Sequence, residues 1–135
     1  MATKQANFQD SILPFQVEPY YLRGRLVRLK NASNTILHRH NYPELVAKLL
    51  TEMLILAPCL SSSLKYDGIF TLQVSGQDPI KTLLVDVTSE GALRAYAAFD
   101  SEKLNDHTTT DPLQKLTGGG YIAFTVDQGK NEERY

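Results

Sequence analysis

PELVAKLLTEMLILAPCLSSSLKYDGIFTLQVSG, residues 43–76, changes its apolar period part-way, and that change decides the fold class. Its first half repeats at helical spacing. Glu44, Lys48 and Glu52 recur every fourth residue and can pair along one face, while Leu45, Val46, Leu49, Leu50, Met53 and Leu54 fill most of the rest. Such a helix is buried on several sides. Asn41 is placed to cap it, Pro43 suits a first turn where its missing N–H is not needed, and Glu44 completes a capping-box spacing. Pro58 removes a donor and crowds the carbonyl of Leu54, which predicts a kink or an end near Ala57. Beyond Gly68 the period is two: Phe70, Leu72 and Val74 share one face, and Thr71, Gln73 and Ser75 the other.

Working outward, Gly76-Gln77-Asp78-Pro79 is turn chemistry, so residues 80–87 form the second strand of a β-hairpin. That strand is apolar on both sides, with Leu84 opposed to Leu83, Val85 and Val87. A sheet covered on both faces is the expectation, by helices on one and by something else on the other. Residues 93–99 and 121–127 read as further strands, and the polar, Thr-rich residues 105–112 with His107 as a mobile surface loop. Upstream, residues 1–12 read as a polar arm, residues 13–17 as an apolar run, and residues 21–29 as a basic strand. A short helix starts at Ser33 or Asn34 and runs through Leu37. The fold class is therefore α+β: a mixed or antiparallel sheet with a long buried helix packed on one face.

A chain of 135 residues with 42% hydrophobic and 21% charged residues is expected to be one domain with a real core. Its net charge of -1 gives no global attraction to nucleic acid or anionic membrane. Met1-Ala2-Thr3-Lys4-Gln5-Ala6-Asn7 lacks an apolar signal core, and no run is long enough to span a bilayer. One cysteine, Cys59, excludes an intrachain disulfide framework and fits a reducing compartment, so a cytoplasmic location is expected.

Chemical constellations are sparse. Ser62-Ser63-Leu64-Lys65 matches Ser-x-x-Lys, but no Ser-Asp-Asn occurs and Lys81-Thr82-Leu83 fails Lys-Thr-Gly, so no acylating enzyme is indicated. His38 and His40 are two apart and point away from each other on a helix; with His107 and Cys59 they do not make a zinc site. No cation sits beside Cys59 in sequence to activate its thiol. Gly118-Gly119-Gly120 leads into a strand without a following Lys-Ser or Lys-Thr, so it reads as a tight turn and not a phosphate loop. Arg23, Arg25, Arg28 and Lys30 form the one basic cluster. In a strand Arg23 and Arg25 share a face and Arg28 takes the other, which disfavours a continuous nucleic-acid stripe.

Leu64-Lys65-Tyr66-Asp67-Gly68, followed by Gln73, Gly76 and Pro79, resembles the signature of the redox-regulated thirty-three-kilodalton heat-shock chaperone family, a bacterial holdase. Four more stretches agree in order and spacing: Leu13-Pro14-Phe15-Gln16-Val17-Glu18, Arg23-Gly24-Arg25-Leu26-Val27-Arg28-Leu29, Gly91-Ala92-Leu93-Arg94-Ala95-Tyr96-Ala97, and residues 118–129. Pro58 departs from the family, which usually has non-proline residues there. The resemblance implies the N-terminal client-binding and dimerisation domain of such a chaperone, spanning residues 1–135 and incomplete at its C-terminus. It implies an ATP-independent, non-enzymatic holdase for unfolded or oxidatively damaged proteins, homodimeric in the full-length family. The family's switch is a zinc module built from Cys-x-Cys and Cys-x-x-Cys pairs, joined by a linker. Linker and module are both absent from this chain, so no cofactor is expected in it. Leu83, Val85 and Tyr96 are the client-binding candidates, with membership of the core as their alternative reading. The rival function is a small RNA-binding module using Arg23, Arg25, Arg28 and Lys30.

Overall fold

A computed structural model describes residues 10–128; residues 1–9 of the expected polar arm, Gly129 and the chain end at Tyr135 lie outside the described residues. In chain order the elements are β1 (Asp10–Val17), β2 (Leu22–Leu29), α1 (Asn31–His40), α2 (Glu44–Ser61), β3 (Ile69–Ser75), β4 (Ile80–Thr88), β5 (Leu93–Phe99), α3 (Ser101–Leu104), α4 (Leu113–Thr117) and β6 (Tyr121–Asp127). β5, β4, β3 and β6 lie side by side in that order as an antiparallel sheet, while β1 and β2 form a separate two-stranded sheet among the described residues. The α+β class read from the sequence is the observed one.

α2 lies across the inner face of the sheet. Val46, Leu50, Leu54 and Ala57 are sealed against Phe70, Leu72 and Val74 of β3 and against Leu83, Val85 and Val87 of β4. The helix buries one broad stripe and leaves Ile55, Leu56 and Leu60 exposed, so it is not enclosed on several sides. Asn41 does not cap α2. It ends α1 in the left-handed conformation (φ 47°), and Pro43 occupies the N-cap of α2 without a side-chain bond. Asn favours both positions, so the spacing to Glu44 was not decisive. Nor does α2 end at Ala57. Pro58 lies within one turn of Ser61, where few intrahelical bonds remain to lose. The last turn closes through the Ser62 N–H on the Pro58 carbonyl at 3.0 Å, and the hydroxyls of Ser62 and Ser63 donate to the carbonyls of Cys59 and Leu60 at 3.1 and 2.6 Å.

The signature-like segment before β3 locks helix to sheet: the Tyr66 hydroxyl donates to the Val87 carbonyl at 3.0 Å, and the Ser89 N–H to the Gly68 carbonyl at 3.0 Å. On the outer face of the sheet no element among the described residues forms the second cover expected from the sequence. The face instead satisfies itself. Asp86, central in β4, accepts from the Thr71 hydroxyl at 2.6 Å on one neighbouring strand and from Arg94 at 2.7 Å on the other. Residues 105–112 are tied down as well. Asp111 accepts from the Thr108 N–H at 3.1 Å and pairs with His107 Nδ1 at 3.1 Å, while Lys48 Nζ reaches the Thr109 carbonyl at 2.8 Å.

Candidate functional site

Several side chains with reactive potential have a structural occupation. Ser62 of the Ser-x-x-Lys match caps a helix carbonyl; the His40 ring lies 5.4 Å from that of Tyr42; His107 holds Asp111. Cys59 is a half-buried free thiol. Gly118 ends α4 with φ 64°, a conformation that glycine adopts without strain. Among the described residues no three His, Cys, Asp or Glu side chains gather where they could hold a metal ion. No described helix is long and apolar enough to cross a membrane.

What the fold does present is an apolar surface that no other described residue covers. In the β1–β2 arm, Val17 faces Leu22, Phe15 faces Gly24, Leu13 faces Leu26 and Ser11 faces Arg28, so all eight side-chain positions lie on one side. Leu13 is 58% exposed, Phe15 48%, Val17 38%, Leu22 58% and Leu26 51%. Five large apolar residues on one unshielded face exceed the scattered exposure normal for a surface. Gly24 makes the stripe continuous, because the Phe15 ring lies over it where any Cβ would collide. At the tip, Tyr21 is 96% exposed and held in the left-handed region at φ 52°. A bulky aromatic is uncommon there and bears strain.

The other side of the arm divides along its length. Near the body, Ile12 and Leu29 close an apolar crevice of about 400 Å³ with Pro58, Val87 and Leu93. Toward the tip, that side carries Arg23 opposite Gln16 and Arg25 opposite Pro14. Arg28 lies on the apolar side near the base, so the arginines are split as the alternation predicts. A second, smaller apolar step occurs where the sheet extends beyond α2. Ile122 and Phe124 of the edge strand β6 are both 62% exposed on the helix side, and the Phe124 ring stacks on buried Phe70 at 5.7 Å.

Leu83 and Val85 do not lie on either surface. They are 1% and 0% exposed beneath α2, whereas Tyr96, paired with Leu84, is 53% exposed on the opposite face of the sheet. The three candidates therefore form no common patch in the folded chain. The arm residues Leu13, Phe15, Val17, Leu22 and Leu26 were missed as a site. Their signal was the strict alternation through Leu13-Pro14-Phe15-Gln16-Val17, read only as an apolar run. Residues 10–12, assigned to a polar arm, belong to the same strand.

A family model described as Hsp33 protein matches residues 10–135. A protein of Caulobacter vibrioides named 33 kDa chaperonin is 40% identical over 129 residues, which is 93% of this chain and 43% of the relative. One of the same name from Pseudomonas fluorescens is 37% identical over 113 residues, covering 84% of this chain and 36% of the relative. The crystal structure of a 33 kDa chaperonin from Thermotoga maritima superposes with a TM-score of 0.68 at 23% identity, over 89% of this chain and 42% of that one. That likeness speaks to the fold. The chain spans less than half the length of each of these relatives.

Proposed function

The chain belongs to the Hsp33 family, and on that premise we propose that it is a cytoplasmic, ATP-independent holdase that captures unfolded or oxidatively damaged proteins on the apolar face of the β1–β2 arm. The observation that carries this reading is the stripe of Leu13, Phe15, Val17, Leu22 and Leu26, left exposed by the other described residues. An unfolded chain exposes apolar segments, and each square ångström shared with the arm is removed from water at about 25 cal/mol per Å². Binding of this kind is non-directional and needs no reacting group.

Zinc does not fit this chain. Its single cysteine cannot supply Cys-x-Cys and Cys-x-x-Cys pairs, and the described His, Cys, Asp and Glu residues do not cluster. Nor can one thiol close an intrachain disulfide, so the arm and the residues that support it carry no oxidative switch of their own. The full-length family's homodimer is part of the same reading, with the apolar step at Ile122 and Phe124 beside an edge strand available for association. The test is dilution of a denatured client into buffer with and without the chain, followed by light scattering and by binding of an apolar dye. Suppressed scattering and dye uptake under both reducing and oxidising conditions support the proposal. A chain that leaves scattering unchanged and takes up no dye refutes it.

A further inference from the structure

We propose that the arm selects client segments in which apolar and acidic residues alternate, by pairing such a segment in extended form along the exposed Leu22 to Leu26 stretch of β2. The inference rests on the holdase reading and deepens it to a class of client.

Three observations converge on it. β1 and β2 form a two-stranded sheet by themselves, so β2 has one edge without a partner strand among the described residues. β1 is interrupted as a template by Pro14, which has no N–H, whereas β2 contains no proline. Along residues 22–26 the two faces differ in chemistry: Leu22 and Leu26 on one, Arg23 and Arg25 on the other. A strand laid beside β2 presents its side chains to those faces in turn. Apolar residues then fall against the stripe of Leu22, Leu26 and the Phe15 ring, and the intervening residues against the two guanidinium groups.

The charge on that second face has no ion-pair partner among the described residues. Among the described residues Arg23, Arg25 and Arg28 form no salt bridge. Between residues 10 and 29 the acids are Asp10, whose carboxylate accepts from the Lys30 N–H, and Glu18 at the tip. Arginine matches a carboxylate in a forked, paired geometry, so an acidic residue at the facing positions is favoured over a neutral one and a basic one is repelled. RNA is the less suitable anion. Its phosphates need a continuous basic track, and here Leu26 separates the Arg25 face from Arg28 on the other side.

The 135-residue chain is titrated against short labelled peptides of alternating Val-Glu, Val-Ser and Val-Lys, with fluorescence anisotropy as the readout. Two facing ion pairs are worth on the order of a fivefold gain in affinity, so Val-Glu binds about five times more tightly than Val-Ser at low salt, and Val-Lys more weakly than either. In the double variant Arg23→Gln and Arg25→Gln, with an unchanged circular dichroism spectrum, Val-Glu falls to the Val-Ser level while Val-Ser is unaffected. Equal binding of Val-Glu and Val-Ser, or a preference that survives the double variant, overturns the acidic selectivity while leaving the holdase reading intact. Failure of all three peptides to bind, together with no suppression of aggregation, overturns both. A single-stranded RNA that binds more tightly than Val-Glu and loses its affinity in the double variant assigns the arginines to nucleic acid and overturns the proposal.

Discussion

Replacing Leu13 and Leu26 by serine separates client capture from folding, because these two residues face each other across the arm and are 58% and 51% exposed. Fully burying a leucine side chain is worth about 1.5–3 kcal/mol, so the exposed half of each holds roughly 1 kcal/mol that a client can recover. Together the pair offers about 2 kcal/mol. Incomplete burial in the complex reduces that to an expected weakening of about five- to tenfold. The cost to the fold is smaller. What the two leucines contribute in the free chain is mainly one cross-strand contact, worth about 0.2–1 kcal/mol, or a few degrees in melting temperature. The assay is light scattering of a diluted, denatured client at several chaperone ratios, with thermal unfolding of the same samples by circular dichroism. Leu50→Ala is the opposing control. That side chain is fully buried under α2, so the substitution is expected to cost about 2–5 kcal/mol of stability while leaving the arm's surface untouched. A Leu13→Ser, Leu26→Ser variant that remains folded and suppresses scattering as well as the parent refutes the placement of the site on the arm.

Leu83→Ala is expected to lower stability by about 2–5 kcal/mol, read from the urea midpoint, with any loss of client capture following the unfolded fraction; capture lost at full stability would return Leu83 to the binding surface. Asp86→Ala takes the acceptor from the part-buried Thr71 hydroxyl and releases Arg94, whose side chain is 75% exposed, to water, for an expected loss of about 0.5–1.5 kcal/mol. A change within experimental error would show that water replaces the ladder freely. Asp111 gives a pH signature. The Thr108 N–H chiefly lowers its carboxyl below the ordinary value of 3.8; burial opposes this, and Lys115 and His107 add to the lowering. The folded state therefore binds this proton less readily than the unfolded one. Its contribution is complete above the ordinary value and is lost as pH falls through the depressed one. Asp111→Asn should flatten the fall of stability below about pH 4, measured by urea titrations across acid pH, and an unchanged slope there would remove Asp111 from the acid response.

Strand and helix were legible where one face is fully buried. Phe70, Leu72 and Val74 alternate with polar residues, so β3 could be read to its ends, and the period change at Gly68 marked where helix gives way to sheet. Local signals that serve two purposes were not legible. Asn41 suits the end of one helix as well as the start of the next, and Pro58 breaks a helix only if enough of it follows. Alternation also does not reveal which face is covered. Leu84 beside Leu83 and Val85 announced an apolar outer face, yet the partners that make that face tolerable, Thr71 and Arg94 about Asp86, come from two other strands and are brought together only by register. The same ignorance concealed the arm. Its alternation looks like that of any half-buried strand, and only the fold shows that no other described residue covers the apolar half.

That difference between two surfaces decides where a client can dock. On the outer face of the sheet, Asp86 is already bonded on both sides, so a client arriving there must compete with a satisfied polar ladder and gains apolar burial mainly from Leu84, Tyr96 and, at the far edge, Tyr121. The inner face holds the most apolar area, but reaching Leu83 or Val85 means lifting α2 and exposing Val46, Leu50 and Leu54, at about 1.5–3 kcal/mol for each side chain. A few such residues equal the whole stability of an ordinary domain. The arm requires neither step. Its apolar residues are already in water, Gly24 lets the Phe15 ring lie flat along the stripe, and the arm's own backbone edge gives an extended client somewhere to pair. The surface most available to clients is therefore the one whose removal should least disturb the fold, which is why capture and stability are expected to respond separately to substitution.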